Sequence, residues 1–571
     1  MHTRAIAFDF DQIPDARPPF LAYSSEWAQK TLESLTPRQR IAQLLHIAAW
    51  SNRGPEHEQE LLETIREYGV GGLLFFQGDP VTQARLTNTY QAASPVPLMI
   101  SIDGEWGLAM RLDDTACYPH QLALGANDDL GQIYEMGRQI AQQCRRIGTH
   151  VNFAPCVDIN TEPSNPVIGF RSFGSDPHQV AIRAYAYMKG MQDEGVLAIA
   201  KHFPGHGDTE ADSHLTLPVL RHDRDRMEEV EWVPFKKLIQ KGVGGVMTAH
   251  LHIPALDPTP NLAATLSPAI SWQLLQEEMG FEGLIFTDAL DMQGVAKFFK
   301  PGEVDAKALV AGNDVLLFGV DVPAAIAQIE AAIARGEISQ QEIDRRVFKQ
   351  LLAKAWLGLD DYQPVDLQGI QEDVGPKQAE ALLDQMAPNI LTPYQSPTLD
   401  AKPENATLVV LTLTDEAGGV SELAHHQLNK QAGEAAVSHP IMQAANADNV
   451  RQVITLDATM TSEEIDRQLS QIPADDQVLV GIFGLHVKAR NQFGISTGFR
   501  DLVQKVTQNP NATVALFASP YSLAHLPIPP ETGVLVAYQP LPAFQSAVWQ
   551  AFKGAILPKG ILPVKLDIGN S

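Results

Sequence analysis

The sequence contains little cysteine. Three cysteines occur among its 571 residues, namely Cys117, Cys144 and Cys156. Such a sparse, odd-numbered set without CxxC spacing provides neither a disulfide framework nor a set of structural zinc ligands. We therefore interpret all three as buried thiols.

Positive charge is also scarce, since the formal net charge is -26. Because phosphate backbones and anionic membrane surfaces are bound by basic faces, this balance argues against nucleic acid and membrane partners. Neither a GxGxxG nor a GxxxxGK[ST] phosphate loop is present, and residues 205–207 (GHG) are too short to count as one. A small neutral or weakly charged ligand fits the composition better.

Long apolar runs are missing as well. No stretch of about 18 apolar residues is available to span a bilayer, and the apolar run near residue 5 is too short for a signal peptide. The sequence as written predicts a cytoplasmic protein. A chain already trimmed of a signal peptide would look the same and would be periplasmic or secreted. The oligomeric state is not defined, a monomer being one interpretation.

Short apolar runs alternate with amphipathic helical stretches through the first part of the chain. After an extended arm and a helix starting at Ser25, the runs cover residues 43–50, 71–76, 98–103, 150–155, 197–202, 245–250, 284–288 and 314–318. Eight strands separated by helices predict a (β/α)8 TIM-like barrel over residues 1–360.

A second alternation of predicted strands and helices follows a helical, proline-containing segment at residues 361–403. Apolar runs at 406–413, 452–456, 477–483, 512–518 and 534–538 alternate with helical stretches, including one at 419–432. Single helices between strands predict an open, mainly parallel sheet, so residues 404–571 are expected to form an α/β sandwich domain.

Polar residues collect where the barrel strands end, which is where barrels of this type place their active sites. They are Asp103 with Glu105 and Arg111, Asp158 with Asn165 and Arg171, Lys201 with His202, His250, and Asp288. Carboxylates and cations on one rim suit a polyhydroxylated ligand, because hydroxyls donate to carboxylates and accept from cations.

The densest polar segment is residues 201–214 (KHFPGHGDTEADSH), directly after a buried strand. Its histidines and aspartates indicate chemistry rather than a simple connection, although a metal-binding or solvated loop is the alternative. His206, Asp208 and His250 are equally consistent with structural roles.

These residues resemble glycoside hydrolase family 3, in particular its β-N-acetylglucosaminidase branch. The resemblance rests on residues 102–111 (IDGEWGLAMR), 152–160 (NFAPCVDIN), 171–177 (RSFGSDP), 201–214 and 286–292 (FTDALDM). The C-terminal part is similar more loosely, chiefly through residues 554–564 (GAILPKGILPV).

The resemblance implies that Asp288 is the nucleophile of a retaining reaction, whereas Asp291 would lie in the following turn. It implies an Asp212–His214 acid/base dyad in place of a second carboxylic acid. Sugar binding is implied for Asp103, Arg111, Arg171, Lys201 and His202, with Arg111 alternatively forming a rim salt bridge. No metal or organic cofactor is implied.

The implied activity is exo-hydrolysis of terminal β-linked N-acetylglucosamine from peptidoglycan fragments or chitooligosaccharides, so the expected partner is a small carbohydrate. A family 3 β-glucosidase, an N-acetylglucosaminide phosphorylase and a sugar-binding protein are the alternatives, together with a zinc hydrolase using His202, His206 and His214. Trp106 stands where the family usually has glycine, and we expect it to pack rather than to stack on a sugar. Asn491 and its neighbours are a possible further contact that sequence does not place.

Overall fold

The computed structural model describes residues 12–209, 217–292, 295, 297, 299–319, 321–397, 399–413 and 439–566. The chain divides into two compact units by its internal contacts. The first comprises Met1–Cys117, Ile133–Glu162 and Pro177–Gln378, and the second comprises Tyr118–Gln132, Pro163–Asp176 and Ala379–Ser571. Two segments from the N-terminal part of the sequence therefore group with the second unit. The linear boundaries at residues 360 and 403 remain predictions.

The strands of the first unit form a barrel. They are β1 (Leu45–Ala49), β2 (Gly72–Phe75), β3 (Met99–Ile102), β4 (Val151–Asn152), β5 (Leu197–Phe203), β6 (Gly245–Thr248), β7 (Leu284–Thr287) and β8 (Leu316–Leu317). Among the described residues these form one eight-stranded sheet in the order β7-β6-β5-β4-β3-β2-β1-β8. Leu45 pairs with Leu316, and a bridge between Phe286 and Val315 joins β7 to the start of β8. Since β8 meets both β1 and β7, the sheet closes.

Helices cover the outside of this barrel and continue into the second unit. In chain order they are α1 (Glu26–Ser34), α2 (Pro37–Gln43), α3 (Pro55–Tyr68), α4 (Pro80–Ala93), α5 (Gln121–Gly125), α6 (Leu130–Arg146), α7 (Pro177–Asp193), α8 (Arg224–Glu229), α9 (Trp232–Gln240), α10 (Glu303–Ala311), α11 (Val322–Ala334), α12 (Gln340–Trp356), α13 (Ile370–Val374), α14 (Lys377–Ile390), α15 (Pro440–Ala447), α16 (Ser462–Leu469), α17 (Thr497–Thr507) and α18 (Pro542–Phe552). Ala269–Glu278 forms a π-helix before β7.

Local chemistry sets the helix ends. The side chains of Ser25, Asp79 and Asp321 each accept a hydrogen bond from a backbone N–H in the first turn of α1, α4 and α11. These caps satisfy donors that a helix start leaves unpaired. Gly69 ends α3 with a positive φ of 66°, a conformation that costs glycine little.

The barrel interior is a packed core. Apolar side chains from the strands fill it, including Leu74, Met99, Val151, Phe153, Leu197, Ile199, Met247, Leu284, Phe286 and Leu317. Phe20 and Ala353 belong to the same cluster. Because this interior is filled, the barrel is not a pore, and ligand chemistry belongs at the strand ends.

The second unit contains a six-stranded sheet among its described residues, in the order β11-β10-β12-β13-β14-β9. Its strands are β9 (Thr392–Pro393), β10 (Ala406–Thr412), β11 (Gln452–Asp457), β12 (Gln477–Phe483), β13 (Ala512–Leu516) and β14 (Gly533–Val536). Neighbouring strands are parallel apart from β9, which runs antiparallel to β14.

The predicted fold class is confirmed: a (β/α)8 barrel and a second α/β open-sheet domain. Each predicted apolar run contains or overlaps an observed strand. Sequence reasoning missed β9, α15 and α17, and the helix predicted at 419–432 lies outside the described residues. Within the described ranges, none of the helices has the length and apolar character needed to cross a bilayer.

Candidate active site

Three alternate strands of the barrel, β3, β5 and β7, carry predicted polar residues at their carboxyl ends. Asp103 follows β3, Lys201 and His202 lie in the last half of β5, and Asp288 follows β7. Because these strands are parallel, their carboxyl ends open onto the same face of the barrel. The peptide bond between Lys201 and His202 is cis, as are those between Ala154 and Pro155 and between Phe203 and Pro204.

Asp103 is the centre of a charged cluster. Its carboxylate accepts from Lys201 Nζ at 3.0 Å and from an Arg111 guanidinium nitrogen at 2.5 Å. Burial by itself favours the neutral acid, but the charges of Lys201 and Arg111 outweigh it and hold the pKa of Asp103 well below its usual range. Asp103 is therefore an ionised carboxylate that accepts hydrogen bonds.

Lys201 joins this cluster to a second carboxylate, that of Glu105. Its ammonium lies 2.8 Å from Glu105 Oε1, with the lysine side chain 2% exposed and the glutamate fully buried. A single buried ammonium thus bridges two carboxylates, which fixes its position at the rim.

The turn after β3 is held from neighbouring elements. The backbone N–H of Gly104 donates to Asn152 Oδ1 at 2.8 Å, and the Asn152 amide donates back to the Gly104 carbonyl at 3.0 Å. The Tyr187 hydroxyl donates to the carbonyls of Gly104 and Glu105. These bonds fix the backbone of Gly104 and Glu105, directly after Asp103.

Asp158 organises the end of β5. Its carboxylate accepts from the backbone N–H of His206 at 2.6 Å, from the backbone N–H of His202, and from the His202 ring Nδ1–H at 2.7 Å. Burial favours the neutral acid, yet His202, then His206, hold the pKa of Asp158 well below its usual range. A neutral His202 consequently carries its proton on Nδ1 and has Nε2 as an acceptor.

His206 lies on the buried side of the same loop. Its ring Nδ1 is 2.9 Å from the Thr209 hydroxyl. Burial, followed by the charge of His202, lowers its pKa to about 4, although Asp158 and Asp288 both act in the opposite direction. His206 is therefore neutral at pH 7. Next along the loop, Asp208 pairs with His222.

Asp288 is half-buried, and its orientation is fixed by the backbone. Its own N–H donates to the Thr248 carbonyl, and the N–H of Ala289 donates to Asp288 Oδ1 at 2.8 Å. The fully buried His250 donates from Nε2 to the Ala289 carbonyl at 2.9 Å, while its Nδ1 lies 3.0 Å from the Thr265 hydroxyl. His250 thus holds the backbone immediately after Asp288.

Comparison with known proteins is decisive for the family. The sequence profile described as "Glycosyl hydrolase family 3 N terminal domain" matches residues 36–351, more than half of the chain. The chain belongs to glycoside hydrolase family 3. The resemblance seen in the sequence motifs is thereby confirmed.

Curated relatives are similar over about half of the chain. Beta-hexosaminidase A of Pseudoalteromonas piscicida is 35% identical over 316 residues, which are 50% of this chain and 53% of that protein. The chain thus spans about half the length of that relative. Beta-hexosaminidase LpqI of Mycobacterium tuberculosis is 34% identical over 330 residues, 55% of this chain and 82% of that one.

A solved family 3 structure is similar over more of the chain. It is a β-N-acetylglucosaminidase from Paenibacillus sp. str. FPU-7, with a TM-score of 0.78 and 30% identity. The likeness covers 94% of this chain and 100% of that one.

Three predicted family 3 residues remain: Asp212, His214 and Arg171. Asp212 and His214 fall outside the described residues. Arg171 ends a short 3-10 helix, Gly169–Arg171, in the segment that groups with the second unit. Asn165, in the same segment, accepts from the N–H groups of Val167 and Ile168, as a turn residue does.

The structure also bears on the expectations for Trp106 and Asp291. Trp106 is 6% exposed, which confirms packing. Asp291 is exposed and lies in the turn after Asp288, as expected. It borders a depression of about 450 Å³ together with Trp50, Arg53 and Phe318.

Sequence reasoning named Glu105 and Asp158 as strand-end residues without giving either a role. In the structure each has a partner: Glu105 forms an ion pair with Lys201, and Asp158 accepts hydrogen bonds from His202 and His206. The sequence did offer a signal, because both residues lie in motifs that resemble the family: Glu105 two residues after Asp103, and Asp158 two residues after Cys156.

Proposed function

We propose that this chain is a retaining, exo-acting β-N-acetylhexosaminidase that removes terminal β-linked N-acetylglucosamine from peptidoglycan fragments or chitooligosaccharides. The observation that carries the proposal is that Asp103, Lys201, His202 and Asp288 lie at one barrel rim. The chain is also 34–35% identical, over 316 and 330 residues, to proteins named beta-hexosaminidase. Because the first of these relatives is matched over about half its length, the activity of the whole chain is part of the proposal.

Asp288 is the proposed nucleophile. Its carboxylate is held at Oδ1 by the Ala289 N–H, so the group has one orientation relative to the strand end. Attack on the anomeric carbon would form a glycosyl-enzyme ester as the glycosidic bond breaks, and water would then open the ester with net retention.

Asp103, Lys201 and His202 are the proposed ligands of the sugar hydroxyls, with Arg111 and Arg171 as further contacts. The ionised Asp103 accepts from hydroxyls, whereas the Lys201 ammonium donates to them. His202, with its Nδ1–H committed to Asp158, presents Nε2 as an acceptor. Together these side chains offer both a donor and acceptors to a polyhydroxylated ligand.

Asp212 and His214 are the proposed acid/base pair. Asp212 would orient the imidazole and favour its protonated form, so that His214 donates a proton to the leaving oxygen and later accepts one from water. This assignment is supported by the residues 201–214 motif alone. Loss of Asp288, Asp212 or His214 would have favoured a sugar-binding protein, and all three are present.

Release of p-nitrophenol from the β-N-acetylglucosaminide and the β-glucoside, with and without phosphate, tests the activity. We expect GlcNAc release to be preferred and independent of phosphate. Preference for the glucoside would favour a β-glucosidase, and phosphate-dependent formation of sugar 1-phosphate would favour a phosphorylase.

Two variants and azide separate the proposed roles. Asp288→Ala is expected to lose activity by several orders of magnitude, and azide should then yield the glycosyl azide of inverted configuration. His214→Ala is expected to lose about 10²–10⁴-fold, and azide should yield the azide of retained configuration. Asp291→Ala, an equivalent change three residues away in an exposed turn, should remain close to the native rate. The same azide product from both variants would contradict the assignments.

A further inference from the structure

A compact group of three different ligand atoms lies under the rim. Cys156 Sγ, Asp158 Oδ2 and His202 Nδ1 are all buried and lie within 4.8 Å of one another. The thiol donates to Asp158 Oδ2 at 3.1 Å, and the imidazole Nδ1–H donates to the same oxygen at 2.7 Å. Two protons therefore converge on one carboxylate oxygen.

The carboxylate is oriented for this arrangement by the loop. His206 donates its backbone N–H to the other oxygen, Oδ1, at 2.6 Å. In metal sites, a ligating carboxylate is commonly held by such a hydrogen bond to its second oxygen. Asp158 thus already has the support that a metal ligand needs.

The donor set selects the kind of ion. A thiolate, an imidazole nitrogen and a carboxylate oxygen are ligands of Zn²⁺, and the sulfur favours thiophilic ions over Mg²⁺ or Ca²⁺. Tetrahedral zinc would place the nitrogen and oxygen about 3.3 Å apart and the sulfur and oxygen about 3.6 Å apart, as follows from ordinary zinc bond lengths. The observed separations, 2.7 Å from nitrogen to oxygen and 3.1 Å from sulfur to oxygen, are each shorter than these by about half an ångström. The sulfur and the nitrogen lie within 4.8 Å of each other.

We propose that Cys156, Asp158 and His202 form an inhibitory binding site for a thiophilic divalent cation such as Zn²⁺ or Cd²⁺. The cation forms bonds to Sγ, Oδ2 and Nδ1, with water as a fourth ligand. The Cys156 S–H bond breaks and releases its proton to solvent. A neutral His202 loses its Nδ1 proton and gains one at Nε2, so the ring stays neutral.

Inhibition follows from the change at His202 and rests on the proposed function. With the cation on Nδ1, Nε2 becomes a hydrogen-bond donor, whereas the cation-free ring has an acceptor there. A sugar hydroxyl that donates to Nε2 loses its acceptor. Because Cys156 is fully buried and His202 only 6% exposed, we expect inhibition to develop slowly after mixing.

Binding is tested on the full chain with Co²⁺, whose thiolate charge-transfer absorption reports a Co–S bond without reference to activity. We expect the band in the native chain and in Cys144→Ala, a control that removes another buried thiol, and its loss in Cys156→Ala and Cys156→Ser. A band of equal strength in both Cys156 variants would overturn the proposal, as would its absence in the native chain.

Inhibition is tested with Cd²⁺ on GlcNAc release, each variant being compared with its own cation-free rate. Half-inhibition should require at least about tenfold more Cd²⁺ in Cys156→Ala and Cys156→Ser than in the native chain or Cys144→Ala, and a chelator should restore the native rate. Equal sensitivity in all four chains would overturn the inhibitory role. A Co²⁺ band in a chain without glycosidase activity would instead contradict the proposed function and leave the cation site standing.

Discussion

Replacing Lys201 by methionine should destabilise the barrel strongly at neutral pH. The Lys201 ammonium is 2% exposed and lies 3.0 Å from Asp103 and 2.8 Å from Glu105. Methionine fills a similar volume, so the change removes the charge with little loss of packing. Asp103 keeps Arg111 as a partner, whereas the fully buried Glu105 loses this ammonium.

The magnitude follows from the two distances. At an effective dielectric constant of 20, each ion pair is worth about 5–6 kcal/mol before the cost of desolvating the charges is subtracted. Removing one partner of a buried ion pair typically costs about 3–5 kcal/mol, because the other charge is left uncompensated. We therefore expect Lys201→Met to lower the free energy of unfolding by about 3–5 kcal/mol at pH 7.

The loss should shrink in acid. Without the ammonium, the charged form of the buried Glu105 carboxyl loses a nearby opposite charge, which favours the neutral acid. As the pH falls from 7 towards 5, protonation of this carboxyl removes the charge that has lost its ammonium, and the difference in unfolding free energy from the native chain narrows. The double variant Lys201→Met/Glu105→Gln, which removes both charges, should recover a large part of the loss at pH 7.

Urea unfolding followed by circular dichroism measures these differences at both pH values. Lys30→Met is the matched control, since Lys30 forms an exposed ion pair with Glu26 at 2.7 Å and exposed pairs contribute little. The reasoning is refuted if Lys201→Met costs no more than Lys30→Met, or if the double variant is no more stable than the single one.

Two further predictions concern the residues that hold the rim. Asp158→Asn should destabilise the chain most above about pH 4, the ordinary carboxyl value, because the folded-state pKa of Asp158 is lowered. The stabilisation lost in the variant is complete above that ordinary value and declines as the pH falls from it through the lower folded-state pKa. Acid unfolding curves of variant and native chain should therefore converge towards low pH, and parallel curves would contradict this. His250→Gln should reduce kcat by about 10–100-fold, because it removes a group that orients the residue proposed to react. KM for the aryl GlcNAc substrate should change little. An effect on KM alone would indicate that His250 acts in sugar binding.

Much of the fold was predictable because barrel strands have a local signature. Each barrel strand falls in a short apolar run of the sequence, and β5 (Leu197–Phe203) is buried along its whole length. The strand β9 (Thr392–Pro393) has two residues and contains proline, so it lacks any such run. Tyr118–Gln132 and Pro163–Asp176 group with the second unit through contacts between residues distant in sequence. Hydrophobic periodicity, which is a local property, does not report such contacts.

The site was predictable to a lesser extent. Asp103 and Asp288 follow strands, and Lys201 and His202 lie in the last half of one, so their position at one rim follows from barrel topology. The hydrogen-bond partners of these residues do not follow from topology alone. Asp158 and His202 are 44 residues apart in sequence, and Asp103 and Lys201 are 98 residues apart. Sequence supplies the residue types, whereas the pairing of each carboxylate requires the register of neighbouring strands.

Burial then divides the rim residues into two kinds. A charge removed from water must be compensated by protein donors, because leaving it unpaired costs several kcal/mol. Asp158 and Glu105 are 1% and 0% exposed, and their described partners are protein groups, so their task is to position the loop and the ammonium. The Asp103 side chain is 15% exposed and Asp288 is half-buried, which leaves both carboxylates within reach of a ligand. The carboxylates that hold the rim and those proposed to meet the sugar are thus distinguished by exposure, a property that strand-end position alone does not reveal.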